Sequence, residues 1–146
     1  MSRKTLFSII LTLLFLTFFA PVVFAQVEIR VRVMEASNVG SGIDSSLKDL
    51  HGQLGSLFNF SSYRLLKDEN VNLSANRPIS LPLDPGRSLE LTLIELRRVV
   101  AEVKVKISRD GRDVLTTLVK LSPGRSVSIG GPKRGEASII IALSRP

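Results

Sequence analysis

The chain holds one histidine, His51, and no cysteine. Acyl transfer needs a nucleophile, a base and an orienting acid, so His51 is the sole candidate for the usual base. It follows Leu50 and stands off the line of Leu47, Leu54 and Leu57, which puts it on the wet side of a helix as a surface residue. One histidine without cysteines also excludes the usual zinc sets, and no acidic loop has calcium spacing. The acidic pairs Asp68-Glu69 and Asp110 with Asp113 read as turn residues, and neither a metal nor a cofactor is expected. Paired carboxylates of the glycosidase kind could come together from different strands, for example Glu90, Glu95 and Glu102, which fall on outward faces or near strand ends. With no tryptophan and one tyrosine, the chain lacks an aromatic platform for sugars or bases, and no nucleic-acid partner is expected.

Cations offer more. Gly130-Gly131-Pro132-Lys133-Arg134-Gly135 combines three glycines with two adjacent positive charges, as an anion contact would. It is not a P-loop, which needs a lysine followed by serine or threonine between a strand and a helix, and a hairpin loop is its plainer reading. Arg97-Arg98 is the second such pair. The candidate contacts for an anion or a partner are therefore Arg97, Arg98, Lys133 and Arg134. Elsewhere basic residues alternate with acids, as on an ordinary solvated surface. Three or more of Arg97, Arg98, Lys104, Lys106, Lys133 and Arg134 on one face would mark a polyanion site, whereas a concave site holding Glu90 or Glu102 would mark an enzyme.

The elements that would position these residues begin after residue 25. Arg3 and Lys4 precede an apolar and hydroxylic run from Leu6 to Ala20, and Pro21-Val22-Val23-Phe24-Ala25-Gln26 has small residues where signal peptidase needs them. Residues 1–25 are thus expected to be a cleavable export signal, cut between Ala25 and Gln26; the alternative is an uncleaved anchor. Cleavage leaves no transmembrane span. The remaining 121 residues carry 18 Lys and Arg against 13 Asp and Glu, a net +5. Residues 26–146 form a single domain, long enough to bury a core without covalent staples. An exported domain without cysteine fits a bacterial periplasm or cell exterior better than an oxidising eukaryotic lumen, where the sequons Asn59-Phe60-Ser61 and Asn72-Leu73-Ser74 would matter.

Val27, Ile29, Val31 and Val33 alternate with Glu28, Arg30, Arg32 and Met34, a strand with one buried and one wet face. Leu47, Leu50, Leu54 and Leu57 share one side of a helix that Asp44 or Ser45 can cap. Strands follow over Phe60–Lys67, Val71–Leu73 (after a turn at Asp68-Glu69-Asn70), Ile79–Leu83, Leu89–Leu93, Ala101–Ile107, Val114–Leu121, Ser126–Ile129 and Ala137–Leu143. Pro82 makes its strand an edge or a short one. Pro85-Gly86, Asp110-Gly111 and Pro123-Gly124 mark tight turns. Ile139-Ile140-Ile141 is apolar on both faces, so the last strand belongs in the centre of a sheet or beneath the helix. Short turns and the lack of intervening helices predict antiparallel pairing: a mainly β fold, an antiparallel β-sandwich or partly closed barrel of about eight strands with one amphipathic helix.

Three stretches together resemble small exported bacterial proteins of unknown function. They are Ser46–Leu57 with Ser62-Tyr63-Arg64-Leu65-Leu66; Ile79–Leu93 with Leu81-Pro82 and Gly86-Arg87; and Gly124–Gly131 with the closing strand to Ser144. The resemblance implies no activity. Ile129-Gly130-Gly131 is also similar to the Ile-Gly-Gly after a strand in outer-membrane secretin channels, which implies a secretion-apparatus partner. The expectation is a non-enzymatic envelope domain that binds another envelope protein. An anionic surface polymer or lipid headgroup as ligand, or weak carboxylate-based hydrolysis, are the alternatives.

Overall fold

The computed structural model describes residues 2–17 and 26–146, without the side chains of residues 15–17 and of Arg134. Helix α1 (Arg3–Thr17) lies within the expected leader, and its Leu6, Phe7, Ile9, Ile10, Leu11, Leu13 and Leu14 are exposed. The expected cut after Ala25 lies outside the described residues. Among those described, no helix is long and apolar enough to cross a membrane.

Nine strands follow: β1 (Gln26–Ser37), β2 (Gly42–Ile43), β3 (Ser62–Ser74), β4 (Ile79–Asp84), β5 (Arg87–Arg97), β6 (Val100–Arg109), β7 (Arg112–Leu121), β8 (Ser126–Arg134) and β9 (Ala137–Ser144). They make a first sheet in the order β2-β3-β1-β9-β8 and a second in the order β4-β5-β6-β7. All pairs are antiparallel except β2 with β3. The arrangement is a sandwich and not a closed barrel: among the described residues, the ladder contact between the sheets is an isolated bridge from Ala75, just past β3, to Leu93 of β5.

Alternation builds the core between them. Val27, Ile29, Val31 and Val33 of β1 and Ile139, Ile141 and Leu143 of β9 face Leu89, Leu91 and Leu93 of β5 and Val103, Val105 and Ile107 of β6. On the other side of the first sheet, Met34, Ala36, Ile140 and Ala142 meet Leu47, Leu50, Leu54 and Tyr63 in a second cluster. Strand β9 is central and also lies beneath the helical segment, as its doubly apolar sequence predicts. Both clusters are drawn from residues 27–143, and among the described residues α1 contributes to neither.

Four local readings change. The single helix is a 3₁₀ turn (Ser45–Leu50) running into a short α2 (His51–Leu57), and Leu57 is exposed while the other three leucines are buried. Asp44 does cap it, accepting from the Ser46 amide. Asp68-Glu69-Asn70 is no turn: β3 runs unbroken through it, because Asp68 sits beside Arg30 of β1 and the strand's outer face is wet. Gly130–Gly135 is no loop either. β8 continues to Arg134 with an irregularity between Gly130 and Lys133, and the turn comes at Gly135. Finally, the face of β1 expected to meet water does so only at Glu28 and Arg30; Arg32 is 1% exposed, roofed by the 3₁₀ turn.

That roof is pinned electrostatically. Arg32 Nη1 and Nη2 donate to the two carboxylate oxygens of Asp49 at 2.8 and 2.9 Å, and Arg30 holds Asp68 in the same forked way at 2.9 and 2.6 Å. Bidentate pairing of this kind fixes orientation as well as charge. The hydrogen bonds from the arginines hold both carboxyls below the usual carboxylate range. Tyr63 closes the other side of the roof, its hydroxyl donating to the Leu54 and Phe58 carbonyls, and burial raises its phenol above the usual value.

Pro82 leaves β4 at a sheet edge, as expected, with its carbonyl accepting from Lys67 Nζ. At the β6–β7 hairpin, Asp110 and Gly111 both take positive φ, 50° and 80°, as a two-residue primed turn requires. One end of the sandwich collects that turn, the β4–β5 turn and the β8–β9 turn. The other collects the β5–β6 turn at Arg98-Val99, the β7–β8 connection, the start of β1 and the end of β9.

Candidate functional site

The four cations singled out by sequence do not form one site. Arg97 and Arg98 sit at the β5–β6 turn, whereas Lys133 lies at the opposite end in β8, exposed and paired in register with Ser138. The backbone of Arg134 pairs with Ala137 beside it, and its side chain lies outside those described. The two glycines before them are explained by packing: a Cβ on Gly130 would stand 3.2 Å from the Phe58 ring, and one on Gly131 only 2.9 Å from the Ile139 carbonyl oxygen.

Arg97 and Arg98 line an open depression of about 510 Å³ together with Glu95, Val99, Val100, Glu102 and Lys120. Three strands build it. The register places Arg97 opposite Val100, Glu95 opposite Glu102, and Glu102 opposite Lys120, all on the solvent face of the second sheet. Arg98 takes the left-handed φ of 57° that reverses the chain, which thrusts Val99 outward to 61% exposure. Arg145, just past β9, donates from Nη1 to the carbonyls of Val99 and Leu121, and its amide donates to Arg125. A C-terminal residue of the first sheet thereby ties down the turn of the second.

Charge at this end is unbalanced. Arg97 Nη2 donates to Glu95 at 3.3 Å. Among the described residues, Arg98, Lys120, Arg125 and Arg145 have no carboxylate within ion-pair distance. The opposite end differs: Arg87 pairs with Asp84 and Arg109 with Asp110. Further along the same hairpin, Lys106 is shared between Glu90 and Asp113, and Lys104 lies on the same solvent face.

The carboxylates proposed for hydrolysis do approach one another in part. Glu95 and Glu102 are cross-strand partners in the depression, while Glu90 is engaged by Lys106 at 3.5 Å. The Glu95 side chain is 49% exposed and accepts from Arg97. His51 is exposed on α2, beside a shallow depression of about 250 Å³ lined by Phe60 and Tyr63. Among the described residues, no three acids or histidines gather as a metal set would.

Sequence reasoning missed Lys120, Arg125 and Arg145 as members of this cluster. Parity along β7 could have put Lys120 on the solvent face, but its neighbour Glu102 follows only from register. Arg145 reaches the cluster through a contact between sheets, and Arg125 neighbours it through the register of β8 with β9, for neither of which a local signal exists. Comparison with known protein families, curated proteins and solved structures gives no match, so function is read from this geometry alone.

Proposed function

We propose that residues 26–146 form a non-enzymatic exported domain that binds another component of the bacterial envelope through the basic β5–β6 end of the sandwich. The observation that carries this reading is the convergence of three cations without carboxylate partners: Arg98 and Lys120, which line an open depression, and Arg145, whose guanidinium binds the Val99 turn beside it. Uncompensated cations on a rigid frame raise the local concentration of an anionic partner and orient it on arrival. The leader pattern of residues 1–25 supports export, and the cysteine-free composition supports an envelope location.

The test is recovery of envelope components on immobilised Gln26–Pro146 at low and high salt, with Arg97→Ala/Arg98→Ala as the comparison. Specific retention that the double variant loses supports the reading, and retention unaffected by the variant overturns it. A second reading, carboxylate-based hydrolysis, draws on the facing Glu95 and Glu102. Turnover of a glycoside or ester substrate that Glu102→Gln abolishes would replace binding with catalysis.

A further inference from the structure

We infer that the basic end of the sandwich docks on a membrane surface bearing anionic lipid, with Val99 as its apolar tip. The inference rests on the binding reading above and names the partner of that same site. Three independent features meet there. Val99 is 61% exposed at the apex of a hairpin and is preceded by Arg97 and Arg98. Arginine stems lie along an apolar boundary while their guanidinium groups stay at headgroup level, and an aliphatic residue between them enters the acyl margin.

The second feature is charge. Arg98, Lys120 and Arg145 stand at the tip without carboxylate partners, and Arg125 lies in the neighbouring β7–β8 connection, against Glu95 and Glu102 on the hairpin and Glu28 near the start of β1. Cations within reach of an anionic leaflet are attracted to it over about one Debye length, roughly 8 Å at physiological salt. Arg145 bonding the Val99 and Leu121 carbonyls holds the turn in place, so the tip is presented rather than folded back.

The third feature is the route of the chain. Gln26, the first residue of β1, is in register with Ser74 and lies at this same end. Ahead of it stands α1, whose apolar side chains are exposed all round and find no protein core. A helix hydrophobic on every side belongs in lipid or in a large core. Eight residues separate Thr17 from Gln26, a span of at most about 32 Å. While the leader is attached and in the bilayer, it keeps the domain within that distance of the membrane from the end that carries Val99. At the far end Arg87 and Arg109 are paired with acids.

The experiment is co-sedimentation of Gln26–Pro146, which contains both apolar clusters, with vesicles of phosphatidylcholine alone or mixed with phosphatidylglycerol, at low salt and at high salt. Binding is expected only to the mixed vesicles, falling about tenfold or more at high salt. Val99→Asp and Arg97→Ala/Arg98→Ala are each expected to weaken it about fivefold or more, with Lys133→Ala unchanged; circular dichroism verifies the fold of each. Equal binding to neutral vesicles, or binding that ignores both tip variants, would overturn the inference. If no vesicle binds while an envelope protein is still retained through Arg97 and Arg98, the lipid inference fails and the binding reading stands. Loss of both overturns both.

Discussion

Removing the carboxylate of Asp49 tests whether the helical roof is held by charge. Arg32 is 1% exposed, its Nε already lacks a hydrogen-bond partner, and Asp49 supplies both of its side-chain acceptors. Breaking a buried pair from one side costs about 3–5 kcal/mol because a charge is left without compensation. Asp49 itself is 58% exposed, so water replaces part of what is lost, and about 2 kcal/mol is expected for Asp49→Ala. For a domain of this size that lowers Tm by roughly 6–10 °C. Arg32→Met takes the buried charge away and leaves a side chain that packs among apolar neighbours, so its loss should be about 1 kcal/mol or less. Urea unfolding of the two variants measures the asymmetry. If Arg32→Met is destabilised as much as Asp49→Ala, or if Asp49→Ala unfolds within 0.5 kcal/mol of the parent, the reasoning is wrong.

Acid should act through the same contacts. The Asp49 and Asp68 carboxyls sit below their unfolded values, so the unfolded chain binds more protons and stability rises with pH; their contribution is full above about pH 5 and is lost as pH falls through the folded values. Unfolding free energy against pH should therefore drop below about pH 4, with a shallower drop in Asp49→Ala. Leu54→Ala should cost about 2–5 kcal/mol and, by loosening the roof, change the emission of Tyr63, the only tyrosine in a chain without tryptophan. Gly131→Ala should cost about 1–3 kcal/mol by denaturant titration, since its Cβ would press on the Ile139 carbonyl 2.9 Å away; a neutral result would mean that β8 yields there.

Alternation and turn chemistry made most of the sandwich legible. The valines of β1, the Asp-Gly turn, the edge position of Pro82 and the central place of Ile139–Ile141 follow from side-chain parity and backbone rules that act locally. The Asp68-Glu69-Asn70 stretch misleads because those residues favour turns in isolation, whereas pairing with β1 and the Arg30 contact outweigh that preference. Arg32 misleads for the opposite reason: its parity marks it as wet, and only the packing of a distant segment covers it. The candidate site was half visible. Arg97-Arg98 could be read from adjacency, but the company they keep is set by register and by the meeting of two sheets, which no single segment encodes.

The place of β9 has a consequence for how the protein is made. Ala137–Ser144 is inserted between β1 and β8 and supplies Ile139, Ile141 and Leu143 to one core and Ile140 and Ala142 to the other. Until those residues are synthesised, β1 lacks one neighbour and both apolar clusters are incomplete. Residues 26–136 alone therefore cannot assemble either core, and the native state waits on β9. The sandwich is thus completed from its middle, by the latest of its nine strands in chain order, and not grown outward from the first.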